Sequence, residues 1–488
     1  MSEFSNAYLI PDGTRLQDIK DRIQVRSRFS EEPSRTVTTT YHDDFQWSLY
    51  LAGASIEDHQ DRARRTLVWR DLQTDTAEVE QRISSDPGFA RDLPPGPMRE
   101  RLARAIGVRR LLPLVAVHTE VQTLRVLNDD DKTVARVVLE VNRYTDSERE
   151  RQGALAARLR LVPVRGYERE LEEAAHMLHE DLGLEPVRTP LVLEALAAAG
   201  RRPGDYSSKL DYHLDPDTRA DAAAKEILLG LLDTIEVNVP GTKANLDAEF
   251  LHDLRVAIRR TRSALSQIKG VFAPEVVTAF KERFAWLQQI TGPVRDLDVY
   301  LLDFDTYRDS LPATLRPHLG PLRQYLLAHY DDAQRALVKD LESAKFANLL
   351  RDWRAFLEAP VPHRSALPNA MRRTKEVADE RIWKMYRLVL KEGRAIASDS
   401  PAEDLHELRK SAKKLRYLVE FFDSLYPKKE TRTLVKQFKA LLDNLGGFQD
   451  LAVQADHLRE IAVKMREEKC APTDTLLTMG VLVGDLLV

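Results

Sequence analysis

HDLRVAIRRTR (252–262) returns 154 residues later as HELRKSAKKLR (406–416). Each copy opens on histidine, places arginine three residues on, sets adjacent cations at seven and eight, and ends on arginine at ten. The same shift, without a gap, lays GPVRDLDV (292–299) on GGFQDLAV (446–453). Gly292 then meets Gly446, Asp296 meets Asp450, Leu297 meets Leu451 and Val299 meets Val453. Two separate blocks in one register mark an internal duplication, and the period is far too long for a solenoid. Two copies of one helical bundle related by a pseudo-twofold axis is the simplest architecture.

On a helical wheel at about 100° per residue, Arg255, Arg259 and Arg262 gather within about 80° of His252, with Arg260 off to one side. Leu254, Ile258 and Leu265 point the other way. The second copy repeats this: Arg409, Lys413 and Arg416 align with His406, Lys410 and Lys414 flank them, and Leu408, Ala412, Leu415 and Val419 form the opposite face. Each helix therefore carries a basic stripe about 15 Å long. Like charges at these spacings cost a helix roughly 0.2–0.5 kcal/mol per pair unless acids or an external anion answer them. Arginine forks suit phosphate oxygens, lysine adds mobile charge, and histidine titrates near neutrality. Two such stripes can flank one groove and hold a linear polyanion. The alternatives are a solvated basic face, and histidines that are structural residues bonded to Asp296 or Asp450. Asp296 and Asp298 form no expected metal pair, because the second copy has Ala452 at the latter place. Capping, or orienting an arginine of the stripe, is the expected role of Asp296 and Asp450.

Around these blocks, residues from about 218 onward show i, i+3, i+4, i+7 apolar spacing, which predicts around ten helices. Prolines at 240, 274, 293, 312, 362 and 401 are expected between them. Residues 1 to about 180 instead mix short β-forming runs with turns, such as RTVTTTYHDDF, RTLVWRDLQ and TLRVLNDDDKTVARVVLEV. NDDDK (128–132) predicts a hairpin loop, and YERELEEAAHMLHEDLG (167–183) a helix. The expected organisation is a β-rich domain over 1–200, a linker over 201–217, and a helical domain over 218–488. Its repeats cover about 218–355 and 370–488.

The formal net charge is −4, so no global field draws the chain to nucleic acid or membrane, and an anion site must be a local concentration of cations. Cys470 is the only cysteine, which excludes an intramolecular disulfide and a thiolate zinc cage. MSEFSNAYLIPDG has neither the basic start nor the apolar run of a signal peptide, so none is expected. No window reaches a membrane-spanning length of apolar residues. The tail MGVLVGDLLV reads as a helix packed on the core.

The paired motifs HxLRVxxRRxRSAL with GxxRDLDV, and HxLRKxxKKLRY with GxxxDLAV, resemble the CHAD domain, a duplicated α-helical bundle named for its histidines. The resemblance covers about 218–488. It implies binding of inorganic polyphosphate through a basic groove. The ligands it implies are His252, Arg255, Arg259, Arg260 and Arg262 with His406, Arg409, Lys410, Lys413, Lys414 and Arg416. Arg295 joins them from the first copy only, since Gln449 replaces it in the second.

The N-terminal half resembles the CYTH family of β-barrel triphosphate tunnel hydrolases, through YLIPDG (8–13), TTTYHDDFQWSLYLAG (38–53) and AARLRLVPVRG. The chemistry of that family is largely replaced. EFSNA keeps Glu3 of the opening ExExK motif but has Ser5 and Ala7 at its other places. SIEDHQD stands where arginines are usual, and Arg158, Arg160 and Val162 stand where glutamates hold Mg²⁺. The resemblance thus implies an α+β two-domain chain: an antiparallel, barrel-like first domain and an all-α second one. The first is expected to be non-catalytic, with no metal or other cofactor unless it proves active with Mg²⁺. The expected partner is polyphosphate, with neither membrane nor nucleic acid, in the cytoplasm and at polyphosphate granules. The competing readings are a metal-dependent tri- or polyphosphatase and a scaffold for an acidic protein partner.

Overall fold

The computed structural model describes residues 6–61, 64–208, 210, 212–397 and 400–486, with the side chains of all but 26, 181, 402 and 447–452. The chain divides into two units between Ser207 and Ser208. Arg201, inside the stretch read as a linker, is buried in the first unit against Asp146 at 2.6 and 2.9 Å. Leu214 is buried in the core of the second.

The first unit runs β1 (Ala7–Leu9), α1 (Leu16–Arg26), β2 (Arg28–Glu31), β3 (Arg35–Asp43), α2 (Ser48–Leu51), β4 (Ala54–Asp61), β5 (Arg64–Asp71), β6 (Ala77–Arg82), α3 (Pro97–Ile106), β7 (Leu112–Leu127), β8 (Thr133–Asp146), β9 (Arg151–Ala154), β10 (Arg158–Pro163), α4 (Glu168–His176), β11 (Glu185–Pro186) and α5 (Leu191–Ala198). The strands form one sheet in the order β11-β1-β10-β8-β7-β3-β4-β5-β6, with β2 on β7 and β9 on β8. Every pairing is antiparallel. Among the described residues β6 and β11 do not pair, so the sheet curls around a cavity without closing into the expected barrel. Residues 128–132 make the predicted hairpin loop between β7 and β8. The Asn128 carboxamide oxygen accepts from the amides of Asp130 and Lys132, and Asp131 takes the left-handed conformation at φ 59°.

The second unit contains, among its described residues, ten α-helices: α6 (Ala220–Lys243), α7 (Ala248–Gln267), α8 (Pro274–Ile290), α9 (Gly292–Ser310), α10 (Gly320–Leu341), α11 (Ala344–Glu358), α12 (Thr374–Ala395), α13 (Ala402–Phe421), α14 (Lys428–Glu467) and α15 (Thr473–Asp485). The 154-residue shift carries both ends of α7 onto those of α13, and the starts of α6 and α8 onto those of α12 and α14. The pseudo-twofold is visible in the backbone. Arg219 and its own counterpart Arg373 face each other in an antiparallel bridge. The Ala220 amide donates to Arg372 O at 2.9 Å, and the equivalent Thr374 amide to Thr218 O at 2.8 Å.

The repeats differ where prolines differ. Pro293 lacks an amide and cannot continue α8, so α9 starts afresh. Its counterpart is Gly447, and α14 runs through as a single 40-residue helix. Pro240, expected between helices, lies inside the last turn of α6. There the next residue, Gly241, lets the Phe250 ring press against the helix, where an added Cβ would sit 2.2 Å from the ring. One apolar core spans α6–α8 and α10–α14, and a second joins α9, α10, α14 and α15.

Candidate functional site

Helices α7 and α13 pack against each other, which brings the two basic stripes together. His252, Arg255, Arg259, Arg260, Arg262, His406, Arg409, Lys413, Lys414 and Arg416 are all half-buried, and Lys410 is exposed. The opposite faces are core: Leu254, Ile258, Leu265, Leu408, Ala412, Leu415 and Val419 are buried. The wheel therefore describes both helices correctly.

The neighbours sort the stripe residues into groups. Arg255 donates to Gln288 O at 3.1 Å and to the Thr291 hydroxyl at 2.8 Å, and Arg262 donates to the Gln288 side chain. Burial lowers the pKa of Arg255, against the pull of Asp296. Arg260 pairs with Glu420 of α13 at 2.9 Å, and Arg416 takes the other oxygen of that carboxylate at 2.6 Å. Lys410 pairs with Glu407 at 2.8 Å. Arg295 reaches Ala248 O, at 3.4 Å, at the start of α7. His252, His406, Arg409 and Lys413 are all engaged with neighbours. The Nε of Arg259 is buried without a hydrogen-bond partner, as are those of Arg260 and Arg262. A desolvated guanidinium N–H without an acceptor is costly, and an entering anion relieves it.

Asp296 sits in the field of Arg255, His457 and Arg295, which oppose the upward push of burial on its pKa. Asp450 lies outside the described side chains. Asp298 is buried and pushed up to about 6 by burial, close to Tyr330. Asp296 and Asp298 form no metal cluster with other groups among the described residues.

Sequence reasoning missed Glu420, Gln288, Thr291 and His457. Glu420 was readable at i+4 from Arg416. Gln288 and Thr291 come from another helix, and His457 from the middle of α14, packed edge-on against Tyr300 at 5.3 Å. Reversing Arg255 would set a carboxylate against Gln288 O. Arg259 is the better residue to reverse.

The first unit holds a cavity of about 460 Å³ inside its curled sheet. Five arginines line it (Arg35, Arg64, Arg70, Arg158, Arg160), and so do five carboxylates (Glu57, Asp61, Asp75, Glu80, Glu140). The arginines of β10 do face inward, as expected. Of SIEDHQD, the stretch that stands where arginines are usual, Glu57, His59 and Asp61 also line the cavity. The acids and bases of the cavity answer one another. Glu57 pairs with His59 at 2.8 Å and Arg70 at 2.9 Å, Arg160 with Glu140 at 3.0 Å, and Arg35 with Asp61 at 3.5 Å. Arg158, almost wholly buried, pairs with Glu194 at 2.6 Å. Burial raises the pKa of Glu57, but His59 and Arg70 outweigh it and hold the group below its ordinary range. Among the described residues no three metal-binding side chains cluster. Glu3 and Ser5 lie outside the described residues.

No curated protein matches the chain. The CHAD domain from the plant Ricinus communis is 25% identical, covers 57% of this chain and 89% of its own length, with a TM-score of 0.48. PptA from Streptomyces chartreusis is 14% identical over 55% of this chain and 94% of its own, with a TM-score of 0.43. HpAC1 of Hippeastrum, described by a dominant triphosphatase activity, is 13% identical over 41% of this chain and 98% of its own, with a TM-score of 0.27. No helix among the described residues is long and apolar enough to cross a membrane. The family model of the CHAD domain matches residues 226–459, which hold both basic helices and both of their partner blocks, and the helical unit therefore carries a CHAD domain.

Proposed function

We propose that the helical unit binds inorganic polyphosphate along the paired basic faces of α7 and α13. The supporting observation is Arg259, whose guanidinium is half-buried in a cationic surface with its Nε unsatisfied. Arg255 and Arg262 are held in place by Gln288, so part of the face is preorganised. Long-chain polyphosphate titrated into the purified protein at about 150 mM salt, where weak surface attraction is largely screened, should bind saturably. Affinity should fall steeply with added salt, as counterion release requires. Duplex DNA at equal charge should not compete. Absence of saturable binding would leave the stripes as solvated faces, and displacement by an acidic protein segment alone would make the unit a scaffold.

A second reading, metal-dependent hydrolysis of tripolyphosphate, draws on the cavity carboxylates. Hydrolysis needs carboxylates free for the metal and cations free for phosphate. Here Glu57 and Glu140 are already paired with arginines. We expect no phosphate release from tripolyphosphate with Mg²⁺ or Mn²⁺. Release that is lost on Glu57→Gln would reverse this. Cytoplasmic location and association with polyphosphate granules belong to the same proposal, and fluorescence microscopy of a tagged chain tests them.

A further inference from the structure

The pseudo-twofold relates α7 to α13, but one carboxylate breaks it. Glu420, which links Arg260 of α7 to Arg416 of α13, has Ser266 as its counterpart. The Ser266 hydroxyl donates to Arg262 O at 2.8 Å, inside its own helix, and answers no cation. The counterparts of Arg260 and Arg416 are Lys414 and Arg262. The duplication therefore builds one pair of cations twice and supplies an acid to only one of the two pairs.

The Arg260 position is filled. Its guanidinium donates to Glu420 at 2.9 Å and to Ser208 O at 3.1 Å, and lies 6.0 Å from the centre of the Tyr417 ring. The side chains of Arg260 and Glu420 are only 13% and 14% exposed. An entering phosphate would meet a carboxylate that two arginines already hold. The Lys414 position has none of this. Ser263 stands where the second copy has Tyr417, a small hydroxyl in place of a ring. Its Oγ and the Arg262 Nε are buried without hydrogen-bond partners, and Gln288, which holds Arg262, carries no charge. Lys414 is half-buried and has no ion-pair partner among the described residues. The Nε of Arg260 is also unsatisfied, so what separates the two positions is the carboxylate, the ring and the Ser263 hydroxyl.

We infer that Glu420 is an internal anion that closes one of two twofold-related phosphate positions, and that Ser263 completes the other beside Arg262 and Lys414. A bound polyanion then lies to one side of the paired helices rather than symmetrically across them. A guanidinium, an ammonium and a hydroxyl together offer phosphate oxygens only donors. Glu420 acts by repulsion: it rejects phosphate where the cations alone would accept it. The inference rests on the proposed binding of polyphosphate and names the side on which the chain lies.

The test is long-chain polyphosphate titrated into the full chain and its variants, with folding followed by denaturant titration. Lys414→Gln should weaken binding about 10-fold and Ser263→Ala about threefold, whereas Arg260→Gln, the counterpart change, should weaken it less than about twofold. Glu420→Ser, which makes the two copies alike, should raise affinity. It should also steepen the log–log salt dependence by about 1.4, since it frees two cations at about 0.7 each for a single-stranded polyanion. Glu403→Gln removes the same charge from the exposed first turn of α13 and should do neither. Should Glu420→Ser fail to fold, Lys414→Gln against Arg260→Gln decides alone. Equal losses in those two, or an equal gain in Glu420→Ser and Glu403→Gln, would overturn the inference while wild-type binding stood. Absence of saturable binding by wild type would overturn the proposed function and this inference together.

Discussion

The cavity of the first unit and the paired helices of the second are both rich in arginine, yet their arginines are in different physical situations. In the cavity five arginines meet five carboxylates, and the pairs are built across neighbouring strands. On α7 and α13 the acids in reach are few: Glu420 occupies Arg260 and Arg416, and Glu407 occupies Lys410. The difference teaches that a count of cations does not identify an anion site. An arginine paired with a carboxylate has an acceptor already and contributes to the fold, whereas a cation that no carboxylate answers can take an external anion.

Substitutions can break this contrast. Arg158→Ala removes one partner of a nearly buried ion pair and should destabilise the first unit by about 3 kcal/mol, read by chemical denaturation. Arg160→Ala, in the same cavity but 54% exposed, should cost no more than about 0.5 kcal/mol. Comparable losses for the two would mean that burial does not set the worth of these pairs. Polyphosphate affinity should be unchanged in both. The reverse pattern is expected on the helices. Arg259→Glu should weaken polyphosphate binding about 10-fold, or about 1.4 kcal/mol, with the denaturation midpoint close to wild type. A fall in stability without a fall in affinity would place Arg259 in the fold rather than in the site.

The duplication was legible because its register has no gap: two motif blocks set the pseudo-twofold before any helix was drawn. The direction of the stripes was legible too, because helical geometry alone decides which side of α7 carries Arg255, Arg259 and Arg262. What the stripes touch was not, since Gln288 and Thr291 reach them from a helix thirty residues away in sequence. In the first unit the inward side of β10 was readable from alternation. The pairing of the cavity arginines with acids on neighbouring strands was not, because cross-strand pairing depends on register. Closure of the sheet is a property of strand ends meeting in space, and no local pattern encodes it. The continuous α14 against the divided α8 and α9 could have been read from Gly447 opposite Pro293.

Two finer differences between the repeats can be measured by stability alone. Asp298 has only Ala452 opposite it in the second repeat, and its carboxyl is pushed up to about 6 by burial. A folded-state pKa above the unfolded one means that the native state holds the proton more tightly. The contribution is therefore fully present below the ordinary aspartate range and lost as pH rises through about 6. Wild type should lose about 1.4 kcal/mol from this group between pH 5 and pH 8, and Asp298→Asn should flatten that dependence. An unchanged profile in the variant would remove Asp298 as its source.

The smallest expected effect concerns how the two basic helices begin. Asp247 caps α7, its carboxylate accepting from the amides of Glu249 at 2.9 Å and Phe250 at 3.3 Å. At the corresponding place α13 has Pro401, which provides no side-chain cap. Asp247→Ala should therefore cost about 1 kcal/mol, and Pro401→Asp should return a few tenths to about 1 kcal/mol, both by denaturant titration. If the two changes instead move polyphosphate affinity by more than about twofold, the helix starts are coupled to the basic faces. The cap would then be helping to set Arg255 and its neighbours, and the uncapped α13 would be the more adaptable half of the site.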